Sequence, residues 1–183
     1  MIGQATRHGA GEILIVDDNH DDFVLMKMAF KRSRVPLNLR HVTDGLDCLT
    51  FLHKEEAWAN VPTPDLILLD LNMPRMSGPD VLKAMMEDEE LRHLPVIVFS
   101  TSTNPDEIGE MYRLGCRSFI VKPVDFERLI QIVDTLIDYW FTVVALPGEV
   151  SRRKKPVATG MNDRPASQNI DAGCLSASRN TSL

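Results

Sequence analysis

The apolar run Leu66–Leu69 stops abruptly at Asp70 and is followed by a loop sequence that contains Pro74 and Gly78. Four consecutive apolar residues are typical of a strand covered on both faces, as in a parallel sheet flanked by helices. A carboxylate at the end of such a strand is costly unless a neighbouring group compensates it. We therefore expect Asp70 to lie in a crevice at the carboxyl end of a buried strand.

Four further strands and five helices are expected along the chain. The segment Glu12–Val16 repeats the pattern of an apolar run that ends in acid, here Asp17 and Asp18. The other strands are predicted at Leu37–Val42, whose alternating residues favour a sheet edge, and at Pro95–Phe99 and Ser118–Val121. Helical spacing of apolar residues predicts helices at His20–Arg34, at Gly78–Glu90 and at Asn104–Leu114. Two more helices are expected after the caps Asp44 and Asp125, the first carrying Leu46, Leu49, Phe51 and Leu52.

This alternation of strands and helices implies a doubly wound α/β fold, because parallel neighbours must be joined by right-handed helical crossovers. Two strand orders are common in such sheets. In one of them the first and third strands are neighbours, and ligands collect where their carboxyl ends meet. That order would bring Asp17, Asp18 and Asp70 together.

Length and composition allow one well-buried domain with appendages, since the chain has 183 residues and is 44% hydrophobic. We expect this domain at residues 11–147, an N-terminal extension at 1–10 and a polar, disordered tail at 148–183. The net charge of −6 is unevenly spread, because the tail carries +3 and the rest of the chain −9. The acidic body argues against a nucleic-acid-binding surface on the folded part.

Hydropathy and the spacing of the cysteines indicate the cellular compartment of the protein. No stretch approaches the ~20 apolar residues that span a bilayer. Cys48, Cys116 and Cys174 lack the paired spacing that holds zinc or exchanges disulfides. We therefore expect a cytoplasmic protein with free thiols and no membrane partner.

The predicted crevice has the groups that a bound phosphoryl group needs. Three clustered carboxylates repel one another unless a cation lies among them, and a small set of oxygen ligands favours Mg²⁺ that retains several waters. Ser100 or Thr101 offers a hydroxyl at the end of the fourth strand, and Lys122 offers a positive charge at the end of the fifth. This set suits a phosphoryl group on Asp70, because Mg²⁺ and Lys122 would neutralise the negative charge of the phosphoryl oxygens.

Two enzyme classes share part of this pattern and fit it less well. A P-loop nucleotide hydrolase would need a Gly-x-x-x-x-Gly-Lys-Ser/Thr motif, which the chain lacks. A phosphatase with an aspartate nucleophile would need a second aspartate two residues after Asp70, where this chain has Asn72.

These residues together resemble the pattern of response-regulator receiver domains, over roughly residues 11–145. The resemblance implies a flavodoxin-like, five-stranded parallel sheet of order 2-1-3-4-5 with five helices. It also implies a phosphoacceptor in a phosphorelay, which a sensor histidine kinase phosphorylates and which is not a turnover enzyme apart from self-catalysed dephosphorylation. The positions that carry the resemblance are Asp17–Asp18, Asp70–Gly78, Ser100–Thr101, Phe119 and Lys122–Pro123.

The resemblance also assigns roles at the crevice. Asp70 would be the phosphoacceptor and part of the metal site. Asp18 and the backbone carbonyl of Asn72 would bind Mg²⁺ directly, and Asp17 largely through water. Lys122 would contact the phosphate, aimed by a cis peptide bond before Pro123.

Two further positions resemble the family's switch. Ser100, with Thr101 beside it, stands where the family has a hydroxyl that moves to the phosphate. Phe119 stands where an aromatic ring turns inward after that movement. Such a two-position element converts a local change of charge into a new surface.

Finer details are similar to stand-alone regulators that partner phytochrome-type histidine kinases, which makes such a kinase the expected partner. These details are the long loop 54–64, the pair Thr101–Ser102 and the ending 139–147. The alternative is an interaction module that keeps the fold and signals through dimerisation without phosphorylation.

The final helix carries two apolar stripes about a quarter turn apart. One stripe consists of Leu129, Val133, Leu136, Trp140 and Val143. The other consists of Ile130, Ile137 and Phe141. Because one face cannot bury both stripes, we predict that Ile130, Ile137 and Phe141 form the contact of a symmetric homodimer.

Overall fold

A computed structural model describes residues 9–146, in which five parallel strands form one sheet in the order β2-β1-β3-β4-β5. The predicted fold class and strand order are confirmed. The predicted tail at 148–183 and most of the N-terminal extension lie outside the described residues. The strands are β1 Gly11–Val16, β2 Leu37–Val42, β3 Leu66–Leu69, β4 Val96–Ser100 and β5 Ser118–Val121. The helices are α1 His20–Phe30, α2 Gly45–Leu52, α3 Gly78–Glu87, α4 Pro105–Arg113 and α5 Phe126–Ile137.

The sheet is buried on both faces because successive strand residues point to opposite sides. In β1, Leu14 and Val16 pack with side chains of α2 and α3, and one residue of α4 joins them. Ile13 and Ile15 pack on the other face with side chains of α1 and α5. Helices on both faces leave the carboxyl edge of the sheet open for a site.

Two helices are shorter than their apolar patterns predict, and local side-chain hydrogen bonds explain both differences. α1 ends at Phe30 because the chain turns at Ser33, whose Oγ accepts the N–H of Val35 before Pro36. α3 ends at Glu87 because the Asp88 side chain accepts the N–H groups of two following residues in place of another helical turn.

The prediction that the second stripe of the final helix is free for a partner is wrong. Ile130, Ile137 and Phe141 are buried within the single chain, in the same core cluster as the first stripe. α5 packs against both the sheet and α1, so its covered arc is wider than one stripe. A π-helical turn at Asp138–Val143 follows α5, and Val143 remains 73% exposed.

α4 is attached to the rest of the fold by few groups. Met111 is its single fully buried residue. The Tyr112 hydroxyl accepts the backbone N–H of Phe119 at 3.2 Å, which ties the helix to the outer edge of β5. Gly109 lies in the middle of the helix and faces open space.

Cys48 and Cys116 are buried free thiols, as the sequence predicts, and Cys174 lies outside the described residues. Burial raises the pKa of the Cys48 thiol to about 12. Within residues 9–146, none of the helices combines the length and apolar character that crossing a membrane requires.

Gly78 is a tight packing point between α3 and the end of β3. A Cβ atom at this position would lie 2.5 Å from the Asp70 carbonyl oxygen and 2.8 Å from the Leu71 Cα, and backbone atoms give way poorly. We expect Gly78→Ala to lower the free energy of unfolding by about 1–3 kcal/mol, measured by urea denaturation. The matched control Gly109→Ala should stabilise by about 0.5–1 kcal/mol, because it fills open space in a helix. Equal effects of the two substitutions would contradict this packing argument.

Candidate functional site

The strand register brings the three predicted acidic residues together at the carboxyl edge of the sheet. Val16 pairs with Leu69, so the residues that follow them, Asp17 and Asp70, are neighbours. Carboxylate oxygens of Asp17, Asp18 and Asp70 lie within 4.8 Å of one another. Asp17 and Asp70 are buried, and Asp18 is exposed at the rim.

Asp17 is held by groups from three elements. Its Oδ1 accepts the N–H of Asn19, the residue that caps α1, and its Oδ2 accepts from the Lys122 ammonium at 2.8 Å. The ring Nε2 of His41, on β2, lies 2.8 Å from the Asp17 carbonyl oxygen and donates to it. Burial raises the pKa of Asp17, and the bonds from Lys122 and Asn19 oppose that rise.

Asp70 is fixed at the end of β3 by its own backbone. Its N–H donates to the Val16 carbonyl at 2.9 Å, and its Oδ2 accepts the N–H of Asn72 at 3.1 Å. Its other oxygen, Oδ1, faces the Lys122 ammonium at 3.2 Å. The side chain is therefore oriented by two fixed contacts in a largely buried place.

Lys122 reaches from the end of β5 into the acidic cluster. Its Nζ lies 2.8 Å from Asp17, 2.8 Å from Asp22 and 3.2 Å from Asp70. Burial alone would lower the pKa of Lys122, but the bonds from the two nearer carboxylates and the charges of Asp17 and Asp70 outweigh it and raise that pKa. The amine is therefore a permanent ammonium at neutral pH.

The predicted switch residues lie close to this cluster in the fold but outside it. Ser100 is fully buried at the end of β4, where its carbonyl accepts the N–H of Lys122 at 2.8 Å. Thr101 is exposed. Phe119 is half-buried and packs against the core beneath α2 and α3.

The β3–α3 loop, which carries Asn72, is anchored by an arginine. Arg75 adopts the left-handed backbone conformation with φ of 62° and contacts the buried carboxylate of Asp44. It also pairs with Asp47 at 3.1 Å, so the loop is tied to the first turn of α2. This tie fixes the loop that follows Asp70 against α2.

Sequence reasoning missed two members of the site, Asp22 and His41. The signal for Asp22 was present, because it lies in the first turn of the helix that directly follows Asp17 and Asp18. His41 had no such signal, since its contact with Asp17 depends on the pairing of β1 with β2. The cis peptide bond expected before Pro123 is also wrong, as residues 9–146 contain no cis peptide bond.

The donor set fits a divalent cation. Three carboxylates and one ammonium leave an excess of negative charge at the edge of the sheet, and all three clustered donors are oxygens. Oxygen donors suit hard cations such as Mg²⁺ and Mn²⁺. Exposed Asp18 leaves room for ligands from solvent, as an ion that keeps part of its hydration shell requires.

Comparison with known proteins decides the family. Residues 13–134 match the family model of the response regulator receiver domain. The chain belongs to this family. It is a response regulator of two-component signalling, and response regulators of this type interact with histidine kinases and act as signalling proteins.

Three relatives illustrate the likeness, and two of them are named for light signalling. Response regulator Rcp1 of Synechocystis is 33% identical over 74% of this chain and 92% of its own length, and its structure in a Mn²⁺-bound form has a TM-score of 0.70. The phosphorylated cyanobacterial phytochrome response regulator RcpA is 37% identical over 76% of this chain and 99% of its own, with a TM-score of 0.72. RPA3017, a response regulator in red light signalling of R. palustris, is 32% identical over 75% of this chain and 98% of its own, with a TM-score of 0.71.

We expect added Mg²⁺ or Mn²⁺ to raise the melting temperature, because a cation that binds only the folded chain stabilises it. At a cation concentration one hundred times Kd, the free energy of unfolding rises by roughly 2.7 kcal/mol. Since burial raises the pKa of Asp17, protons compete with the cation at a higher pH than at an ordinary aspartate, and the gain should fall as the pH is lowered.

Asp18→Asn should abolish most of that gain, while Asp21→Asn, an exposed neighbour outside the cluster, should retain it. Differential scanning calorimetry with and without the cation measures both variants. If the cation raises the melting temperature of Asp18→Asn as much as that of wild type, the cation binds elsewhere.

Proposed function

We propose that Asp70 accepts a phosphoryl group from the phosphohistidine of a sensor histidine kinase in a phosphorelay, with Mg²⁺ held by Asp17, Asp18, Asp70 and the backbone carbonyl of Asn72. The observation that carries the proposal is the convergence of Lys122 and two acidic residues on one buried, oriented aspartate. Phosphoryl transfer needs chiefly positioning and charge stabilisation, and these groups supply both.

In this proposal the Asp70 oxygen Oδ1 is the nucleophile. It forms the new O–P bond as the N–P bond of the phosphohistidine breaks, and the imidazole leaves with the electrons of that bond. Mg²⁺ supplies charge neutralisation for the phosphoryl oxygens. Lys122 already lies 3.2 Å from Oδ1, so its ammonium is placed to donate to the same group.

Oδ2 of Asp70 does not form the new bond and remains available as the Mg²⁺ ligand. It accepts the N–H of Asn72, which keeps the other oxygen facing Lys122.

The protein later releases inorganic phosphate when water attacks the acyl phosphate, which we propose as a slow self-catalysed step.

The same proposal extends to the switch. Ser100 lies fully buried beside the site, so a hydroxyl that turns toward the phosphoryl group must move within the core. Its backbone is bonded to Lys122, and Phe119 lies on the adjacent strand β5. Movement of Ser100 and Phe119 together, with Thr101 at the surface, would carry the phosphorylation state to α4 and β5.

We propose a phytochrome-type histidine kinase as the phosphoryl donor, acting in the cytoplasm. Support comes from the phytochrome response regulator RcpA and from RPA3017 of red light signalling, which share about a third of this sequence. Free, buried thiols at Cys48 and Cys116 suit a reducing compartment.

Acetyl phosphate with Mg²⁺ should phosphorylate wild type, and Asp70→Asn should remain unlabelled because it lacks the nucleophile. Phosphate-affinity electrophoresis separates the two forms. A phytochrome-type kinase with ATP should give the same band faster than a chemotaxis-type kinase does. Labelling of Asp70→Asn would contradict the assignment, and a wild type that stays unlabelled but dimerises would favour the phosphorylation-independent module.

We also propose that two copies of the chain pair through the C-terminal helix, by a face other than the predicted one. Val143 and Tyr139 are exposed on the π-helical turn, and Ile132 is half-buried on α5. These three side chains are seven and four residues apart, so they share one side of α5 and of the π-helical turn that continues it. Exposed apolar surface of this kind favours association.

Sedimentation velocity should give a mass of twice 20.6 kDa for wild type at micromolar concentration. Val143→Asp should shift the protein toward monomer, because a charge buried between two helices is costly. The matched control Val124→Asp places the same charge at an exposed loop residue outside α5 and should leave the dimer intact. Monomeric wild type, with or without phosphorylation, would exclude the dimer.

A further inference from the structure

The ammonium of Lys122 is fully engaged before any phosphoryl group arrives. An ammonium has three N–H donors. Two of them make hydrogen bonds of 2.8 Å, to Asp17 and to Asp22, and the contact with Asp70 is the longest at 3.2 Å. Lys122 is therefore held more closely by Asp17 and Asp22 than by Asp70, the proposed phosphoacceptor.

Asp22 has no other evident task at this position. The side chain that caps α1 belongs to Asn19, which accepts the N–H groups of Asp21 and Asp22. Both of these carboxylates lie in the first turn and interact favourably with the helix dipole. Asp22 differs from Asp21 in its bond to Lys122, and it lies outside the cluster of Asp17, Asp18 and Asp70 that can hold a cation.

Of the two hydrogen bonds, the bond to Asp22 costs less to break. The Asp22 side chain is 32% exposed, whereas those of Asp17 and Lys122 are 5% and 10% exposed. Water can solvate Asp22 once the lysine leaves, but it cannot reach Asp17 as easily. A phosphoryl group on Asp70 would add negative charge beside Lys122, and the donor now bound to Asp22 is the one that can be released to it.

We propose that Asp22 is a positioning residue that holds Lys122 in the unphosphorylated state and competes with the phosphoryl group for its ammonium. This inference rests on the proposed phosphorylation of Asp70 and adds a device that sets how readily the site accepts that group. In the unphosphorylated chain the bond to Asp22 keeps Lys122 between α1 and β3. In the phosphorylated chain Lys122 turns to the phosphoryl oxygens, and Asp22 is left to solvent.

Trifluoroberyllate, which mimics a phosphoryl group on an aspartate, tests this competition at equilibrium. Asp22→Asn removes the competing charge, so the variant should bind trifluoroberyllate roughly three- to fivefold more tightly than wild type. The titration is followed by ¹⁹F NMR of the bound fluorides at saturating Mg²⁺, so that a change in metal affinity does not contribute. Potassium chloride at about 0.3 M screens long-range effects of the lost charge.

Two variants serve as controls. Asp21→Asn removes the same charge from the same helical turn but has no bond to Lys122, so its affinity should match wild type within about twofold. Asp22→Glu restores a carboxylate and should return the affinity toward that of wild type. A purely structural role of Asp22 would lower the melting temperature of Asp22→Asn without raising its affinity for trifluoroberyllate.

Equal affinities for Asp22→Asn and Asp21→Asn, or weaker binding by Asp22→Asn, would overturn the competition. A wild type that binds Mg²⁺ but no trifluoroberyllate would instead overturn the proposed function of Asp70, and this inference with it. The two failures are therefore distinguished by whether wild type binds the probe.

Discussion

The ion pairs of one ammonium with several carboxylates organise this protein. Lys122 joins β5 to β1, to α1 and to β3 through Asp17, Asp22 and Asp70. Without the ammonium, buried carboxylates at the edge of the sheet would repel one another in a place that water reaches poorly. The site is thus a balance of charges that any added cation or phosphoryl group must change.

The geometry of the sheet brings these charged groups together. Parallel strands end at the same edge, so short polar segments far apart in sequence meet there, and helices on both faces exclude water from the strands themselves. The loops then refine the arrangement. Arg75 anchors the loop after β3, and Gly78 allows α3 to approach the Asp70 carbonyl.

Much of this could be predicted from short-range patterns. The helices and strands follow from the apolar runs, the caps Asp44 and Asp125 and the acidic strand ends, because each depends on residues near in sequence. The acidic cluster followed from the strand order, which places the ends of β1 and β3 side by side. Contacts between distant elements escaped prediction. Burial of Ile137 depends on α5 lying against α1, and the bond of His41 to Asp17 depends on strand pairing.

α4 shows how weak attachment can itself be informative. One buried methionine and one tyrosine hydroxyl hold nine residues to the sheet, with a glycine in the middle of the helix. Segments with few buried apolar contacts typically open at free energies below that of global unfolding, and their amide hydrogens then exchange early. For a helix held in this way, a small bias from β5 is enough to shift the balance between docked and undocked arrangements, and no rigid body has to be displaced.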